Sequence, residues 1–284
     1  MEAYRARAGR SESGRWPIVF SKSEGYTDLK LEIPCGRCIG CRLERSRQWA
    51  IRCMHEASLY RENCFVTLTY SDEHLPVNMS LNKKHFQDFM KRLRRHVEYR
   101  NKREAQGGTR GAKPPTIRYY MCGEYGTVCS DCLKSRIFCK CKEFKSSLGR
   151  PHYHAALFNY DFDDKKFWNV KKGESLYRSD TLDKLWKKGY CKLGKVTFES
   201  AAYISRYIIK KRLDKHSEIY YNNREKEYNC MSNGIGKGWF NKFKSDVYSI
   251  DGCFIRNNVQ TKPSRYYDDL YEKVDQAHLH FLKQ

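Results

Sequence analysis

Hydrophobic and polar positions alternate most cleanly over Cys64-Phe65-Val66-Thr67-Leu68-Thr69-Tyr70, a run rich in β-branched and aromatic residues. Successive strand side chains point to opposite faces, so this period of two predicts a half-buried strand. Thr116 to Cys122 predicts another, ending in Gly123-Glu124-Tyr125-Gly126. Gly149-Arg150-Pro151-His152-Tyr153-His154-Ala155-Ala156-Leu157-Phe158 predicts a third, and Tyr190 to Phe198 a fourth. Helical spacing is clearest behind Ser80, which is expected to be an N-cap: Phe86, Phe89, Met90, Leu93 and Val97 recur three and four residues apart. Further helices are expected over Arg42–Tyr60, Asp180–Lys188, Glu199–Leu213 and Ser264–Leu282. Residues 1–33 are poorly periodic and suggest an arm followed by a strand. A cysteine-rich insert spans 127–148. Residues 214–262, with glycines at 234, 236 and 238, follow no clear pattern. The chain thus divides into an arm with a Cys-rich basic helix (1–63), a core (64–213) and an extension (214–284), and its class is α+β.

At 284 residues, 40% hydrophobic and 14% aromatic, the chain can bury a sizeable core. Lys and Arg outnumber Asp and Glu by 55 to 33, a formal charge of +22. Such an excess points to a polyanionic partner, nucleic acid above all; a basic surface that binds nothing is the plainer alternative. The 21 tyrosines suit base stacking. Arg42, Arg45, Arg47 and Arg52 on one helix, and Lys91, Arg92, Arg94 and Arg95 on another, form basic faces suited to phosphates. No run approaches the ~20 apolar residues of a membrane span, and no secretory signal is visible. The 13 cysteines are therefore expected in a reducing compartment, where close Cys-x-x-Cys spacing more often means metal than disulfide.

The chemistry gathers at two places. His152 and His154 share a strand face while Tyr153 enters the core, and two adjacent imidazoles are half of a divalent-metal site. A carboxylate is then expected, and Glu124 supplies it if its strand lies beside the histidine strand. Tyr203, Tyr207 and Lys210 line one face of the expected 199–213 helix. Together these parts suit phosphodiester cleavage by a tyrosine nucleophile. A phenol is a poor nucleophile at neutral pH; a metal on the scissile phosphate and a lysine would both assist it. Each group also has an ordinary reading: core histidines, a surface glutamate in a turn, an amphipathic core helix.

Cys129, Cys132, Cys139 and Cys141 have the spacing of a tetrahedral, closed and therefore structural zinc site. Cys35, Cys38 and Cys41 offer three thiols, with Cys53 the nearest fourth candidate and His55 close behind. An iron–sulfur cluster is the rival reading there, and unmetallated thiols are open for both groups.

Phe65–Tyr70, His152-Tyr153-His154 and Tyr203-x-x-x-Tyr207-x-x-Lys210 occur in the order of the three motifs of HUH endonucleases, the rolling-circle replication initiators. The tyrosine pair resembles the two-tyrosine initiators of small single-stranded DNA phages. Cys35-Gly36-Arg37-Cys38-x-x-Cys41-Arg42, followed by Trp49-Ala50 and Arg52-Cys53, is similar to the initiators of gokushoviruses, a microvirus subgroup. The resemblance covers residues 34–213.

It implies an HUH (RRM-like) core: a central antiparallel sheet with the histidine strand in its middle, flanking helices and the tyrosine helix beside it. It implies Mg²⁺ or Mn²⁺ on the histidine pair plus a third polar residue. One tyrosine would cut the origin strand, leaving a 5′-phosphotyrosine and a free 3′-OH, and the second would act after one round. The strand Phe65–Tyr70 would flank the site. The expected partners are single-stranded origin DNA and double-stranded replicative-form DNA, in the cytoplasm of a bacterial host. Gly234-Ile235-Gly236-Lys237-Gly238 does not match a phosphate loop, so no nucleotide cofactor is expected and strand separation falls to a host helicase. The alternatives are a plasmid initiator or relaxase with the same chemistry, and a non-catalytic zinc-bearing nucleic-acid binder.

Overall fold

A computed structural model describes residues 2–9, 17–36, 38–106, 114–143, 145–171, 173–210, 217–250, 252–255 and 259–283. The chain forms two compact units, Met1–Arg45 and Ser46–Gln284. In the first, β1 (Glu2–Ala6), β2 (Ile18–Val19) and β3 (Gly25–Glu32) make an antiparallel sheet of order β2-β1-β3. Residues 1–33 are therefore more ordered than an arm with one strand. Gly25 is required there, because a Cβ would lie 2.2 Å from Cβ of Tyr4. Helix α1 (Ile39–Ala57) begins in this unit and ends in the second.

The second unit continues with β4 (Asn63–Thr69), α2 (Lys83–Gln106), β5 (Arg118–Cys129), β6 (Ser146–Phe158), β7 (Lys166–Lys171) and β8 (Glu174–Arg178). Then come α3 (Asp180–Trp186), β9 (Cys191–Gly194), α4 (Phe198–Lys210), α5 (Ser217–Tyr221) and β10 (Tyr228–Met231). The chain ends with α6 (Lys237–Ser249), the β11 (Cys253–Ile255) and β12 (Val259–Thr261) pair, α7 (Arg265–Tyr271) and α8 (Gln276–Leu282). Seven strands form one sheet of order β10-β5-β6-β4-β9-β8-β7, every neighbouring pair antiparallel. The protein is thus α+β, with β6 and β4 central in an antiparallel sheet.

Strand alternation gives this sheet two different faces. Val66, Leu68, Met121, Tyr153, Ala155 and Leu157 pack against Phe86, Phe89, Met90 and Leu93 of α2 and Leu182 and Trp186 of α3. On the other face Tyr120, Cys122, Ala156 and Phe158 meet Ala50 and Cys53 of α1 and Ala201, Ala202 and Ile204 of α4.

Several boundaries differ from the sequence expectation for identifiable reasons. Asn82, not Ser80, caps α2: its Oδ1 accepts from Lys84 N at 3.0 Å, while Ser80 Oγ accepts from Glu225 N at 2.9 Å. The strand expected over 190–198 stops at Gly194, because Thr197 and Ser200 cap each other's backbone N–H groups and start α4 at Phe198. The single helix expected over 264–282 is two, since Asp275 Oδ1 accepts from His278 N and caps a new start. β7 and β8 were not legible: β7 is exposed at every residue and carries no alternation. The extension joins the core sheet through β10, which pairs with β5.

The basic helix faces are also corrected in part. Arg52 is a packing residue: its guanidinium donates twice to the Ile235 carbonyl, at 3.1 and 2.9 Å, between the rings of Trp49 and Tyr266. Arg92 donates to the carbonyls of Leu185 and Trp186 and ties α2 to α3. Among the described residues no helix is long and apolar enough to cross a membrane.

Candidate active site

Glu124 on β5 pairs directly with His152 on β6, and Cys122 with His154. β4 flanks the other side, with Thr69 opposite His152 and Thr67 opposite His154. Cross-strand partners share a face, so this register gathers Glu124, both histidines and both threonines on one side of the sheet. His152 Nε2 is 2.7 Å and His154 Nε2 3.0 Å from Glu124 Oε1. The rings of the two histidines are 5.0 Å apart and nearly perpendicular. The Glu124 side chain is 1% exposed, and its Oε2 is buried without a hydrogen-bond partner among the described residues.

The second nitrogen of each ring fixes its orientation. His152 Nδ1 donates to the Arg150 carbonyl at 3.2 Å, and His154 Nδ1 meets Thr67 Oγ1 at 2.9 Å. A carbonyl only accepts, so His152 carries its proton on Nδ1 and turns the lone pair of Nε2 inward. Two such nitrogens and a carboxylate oxygen converging within 4.8 Å repel one another unless a proton or a cation lies among them. The ring-nitrogen anchors are the outer-shell pattern usual at metal sites. The donor set and the orphaned buried Oε2 fit a divalent cation. Burial pushes the Glu124 carboxyl up, but hydrogen bonds and charge from His152 and His154 outweigh it and hold it below its ordinary value. Burial lowers the His154 pKa, opposed by its Glu124 contact and reinforced by the charge of His152.

Tyr203 is delivered by α4. Ala201 and Ala202 let that helix lie close on the sheet, and the buried hydroxyls of Ser46 and Ser205 bond at 2.7 Å where it meets α1. The Tyr203 hydroxyl donates to Glu124 Oε1 at 3.1 Å, and its ring stands edge-on to His154 at 5.0 Å. Tyr203 stays 36% exposed, reachable from outside. Tyr207 and Lys210 belong to the same helix; their side chains lie outside the described residues.

Residues 63–132 and 133–212 match the family model of the ORF2-type replication-associated proteins. This chain belongs to that family. It is 33% identical to replication-associated protein VP4 of Bdellovibrio phage phiMH2K over 94% of its own length and 76% of the relative's. It is also 33% identical to replication-associated protein ORF2 of Spiroplasma virus 4, across 89% and 72% of the two chains. Identity to replication-associated protein ORF4 of Chlamydia phage 1 is 28%, across 88% and 57%. No solved structure was found to match. The family match ends near the end of α4, so it takes in β4 to β6, the cysteine insert and Tyr203.

The cysteine insert is the tip of the β5–β6 hairpin, with Cys129 opposite Ser146 at its base. The four thiols of Cys129, Cys132, Cys139 and Cys141 converge within 4.8 Å, with Cys132 and Cys139 sulfurs 3.7 Å apart. Tetrahedral zinc with Zn–S bonds of ~2.3 Å sets its sulfurs about 3.8 Å apart, so the spacing fits. Backbone N–H donors from Cys132 and Asp131 hold the Cys129 thiol down to about 6, in the range of a ready thiolate ligand. Cys35, Cys38 and Cys41 converge likewise, with Cys35 and Cys41 sulfurs 3.9 Å apart and Cys38 N donating to Cys35 Sγ at 3.2 Å. Cys53 does not join them. It lies about three turns further along α1, fully buried against Ala50, Tyr120 and Cys122, where burial raises its thiol pKa.

Sequence reasoning missed Thr67 and Thr69. The one signal was position: both share the polar parity of the 64–70 strand, the parity that faces the histidines.

Proposed function

We propose that this protein starts rolling-circle replication of a circular single-stranded DNA phage genome by nicking its origin with Tyr203. The observation that carries the reading is the Tyr203 hydroxyl, 3.1 Å from the same Glu124 oxygen that the two histidine Nε2 atoms approach. A nucleophile and a metal-type donor set share one exposed edge of the sheet, in a family of replication-associated proteins.

Glu124, His152 and His154 would hold Mg²⁺ or Mn²⁺, which when bound draws charge from the scissile phosphate and orients it. Glu124 holds the Tyr203 oxygen toward that position. The oxygen attacks phosphorus, the bond to the 3′-oxygen breaks, the phenol loses a proton and the departing 3′-oxygen gains one. The products are a 5′-phosphotyrosine and a 3′-OH primer. Tyr207 is assigned the second cut, after which the free 3′-OH attacks the first phosphotyrosine and closes the displaced strand. Lys210 is assigned to stabilise negative charge on the phosphate.

The hairpin-tip thiols are assigned one structural zinc and the Cys35 group another, with a fourth ligand that Cys53 does not supply. The substrates are single-stranded origin DNA and the double-stranded replicative form, in the host cytoplasm. A host helicase would separate the strands.

The test is a denaturing gel of protein, Mn²⁺ and a labelled oligonucleotide carrying the origin of the source genome. A covalent band that vanishes in Tyr203→Phe/Tyr207→Phe supports the reading. A double variant that still nicks normally overturns it. Tight, salt-sensitive binding without any covalent band would favour a binding module instead.

A further inference from the structure

The sheet face that bears Glu124, His152 and His154 continues beyond β4. Thr67, beside His154, pairs on its other side with Lys192 of β9. Cys191 and Leu193 are buried toward α2 and α3, so Tyr190 and Lys192 stand on the site face. Tyr177 pairs with Leu193 and packs on the same core, which puts its neighbour Arg178 on the Lys192 side. Trp168, at the irregular step of β7 between Phe167 and Asn169, completes the group. Lys192 Nζ is 4.6 Å and the Arg178 guanidinium 5.0 Å from the Trp168 ring, and Arg178 is 5.7 Å from the Tyr190 ring.

Cations and rings therefore alternate in one row: Lys192, Trp168, Arg178, Tyr190. Trp168 is 40% and Tyr190 61% exposed. The row abuts the candidate active site, since the Tyr190 carbonyl accepts from Thr69 N and Oγ1, and Thr69 is the cross-strand partner of His152. The cations lack counter-ions. Among the described residues neither Lys171, Arg178 nor Lys192 has a carboxylate partner, and Arg178 Nε is buried with no hydrogen bond. Burial lowers the Lys192 pKa, and the charges of Lys171 and Arg178 lower it further. Exposed rings flanked by unpaired cations, on an open sheet edge, suit a ligand that carries flat faces and phosphates together. Unpaired nucleotides do; a duplex hides its base faces.

We propose that this row is a stacking platform for single-stranded DNA. Bases lie on Trp168 and Tyr190, phosphates lie on Lys171, Arg178 and Lys192, and the strand is led to the Glu124–His152–His154 edge. The last clause rests on the nicking reading; the platform itself does not.

The experiment is anisotropy of fluorescein-labelled oligo-dT with the full chain, without added divalent metal so that nothing is cut. Trp168→Ala and Tyr190→Ala should each weaken binding about five-fold or more, and Trp168→Phe and Tyr190→Phe, which keep a ring, should restore it. Lys192→Gln and Arg178→Gln should each reduce the salt slope by about 0.7; these keep the platform testable should an alanine variant fail to fold. Duplex binding should not respond to the ring variants. Unchanged oligo-dT affinity in a folded Trp168→Ala/Tyr190→Ala protein overturns the platform, as does a loss confined to oligo-rU. The two readings fail separately. Origin phosphotyrosine formed by wild type alongside unaltered oligo-dT binding in the ring variants sinks the platform alone. Ring-dependent binding by a protein that never forms phosphotyrosine sinks the nicking reading alone.

Discussion

The two faces of the central sheet are built from the same strands and do opposite work. Thr67 and Leu68 are adjacent in β4. Leu68 is fully buried against α2 and α3, while Thr67 turns the other way and holds His154. On the Leu68 side, Tyr70, Tyr153, Phe89 and Trp186 interlock ring on ring, and Trp186 Nε1 donates to the Thr69 carbonyl at 2.6 Å. On the Thr67 side α4 covers the sheet only as far as Tyr203, and β9, β8 and β7 continue uncovered by α4. A period of two thus separates stability from chemistry within single strands. The rigid apolar face holds the backbone; the polar face needs that backbone to keep four groups within hydrogen-bond reach.

Substitutions at matched positions break or sharpen this contrast. Tyr203→Phe has the largest expected effect on the open face: covalent capture of DNA should fall to the level of Tyr207 acting alone, with binding nearly intact by filter assay. His152→Ala with His154→Ala should lower Mn²⁺-dependent cleavage at least about 100-fold, and retained cleavage would remove the metal assignment. On the closed face Leu68→Ala should cost about 2–5 kcal/mol in urea unfolding while leaving cleavage per folded molecule unchanged. Its neighbour Thr67→Ala should do the reverse, weakening Mn²⁺ affinity about 10- to 100-fold with little change in the unfolding midpoint. Both neighbours shifting stability alike would mean the faces are not separable. The smallest global effect is expected at Cys129→Ser: elemental analysis should show one zinc fewer per chain, and hydrogen exchange should quicken in 127–148 alone. Unchanged zinc content there would exclude the hairpin-tip metal.

What could be read from the sequence follows how local each signal is. His152 and His154 announce a shared face within three residues, and the α2 stripe from Phe86 to Val97 announces a core helix. Glu124 could be named only on the condition that its strand neighbours β6, because pairing is decided across a long hairpin. Thr67 was invisible, since a threonine in a strand is ordinary until its cross-strand partner is known. β7 and β8 failed for another reason: a strand exposed at every residue has no alternation to detect, although Trp168, Arg178 and Lys192 were all in view. Cys53 misled because proximity in sequence along a helix is not proximity of side chains; its face of α1 belongs to the core. Arg52 and Arg92 misled because a long cationic side chain can spend its donors on buried carbonyls.

The central claim is that Tyr203 attacks DNA at the Glu124–His152–His154 edge. Its most direct test is mass spectrometry of the covalent product formed with origin DNA and Mn²⁺, after proteolysis and nuclease trimming. The account expects a nucleotide joined through 5′-phosphate to the peptide containing Tyr203, absent from the His152→Ala/His154→Ala protein. A nucleotide carried on a residue outside α4, or a specific nick that leaves no peptide modified, would contradict it.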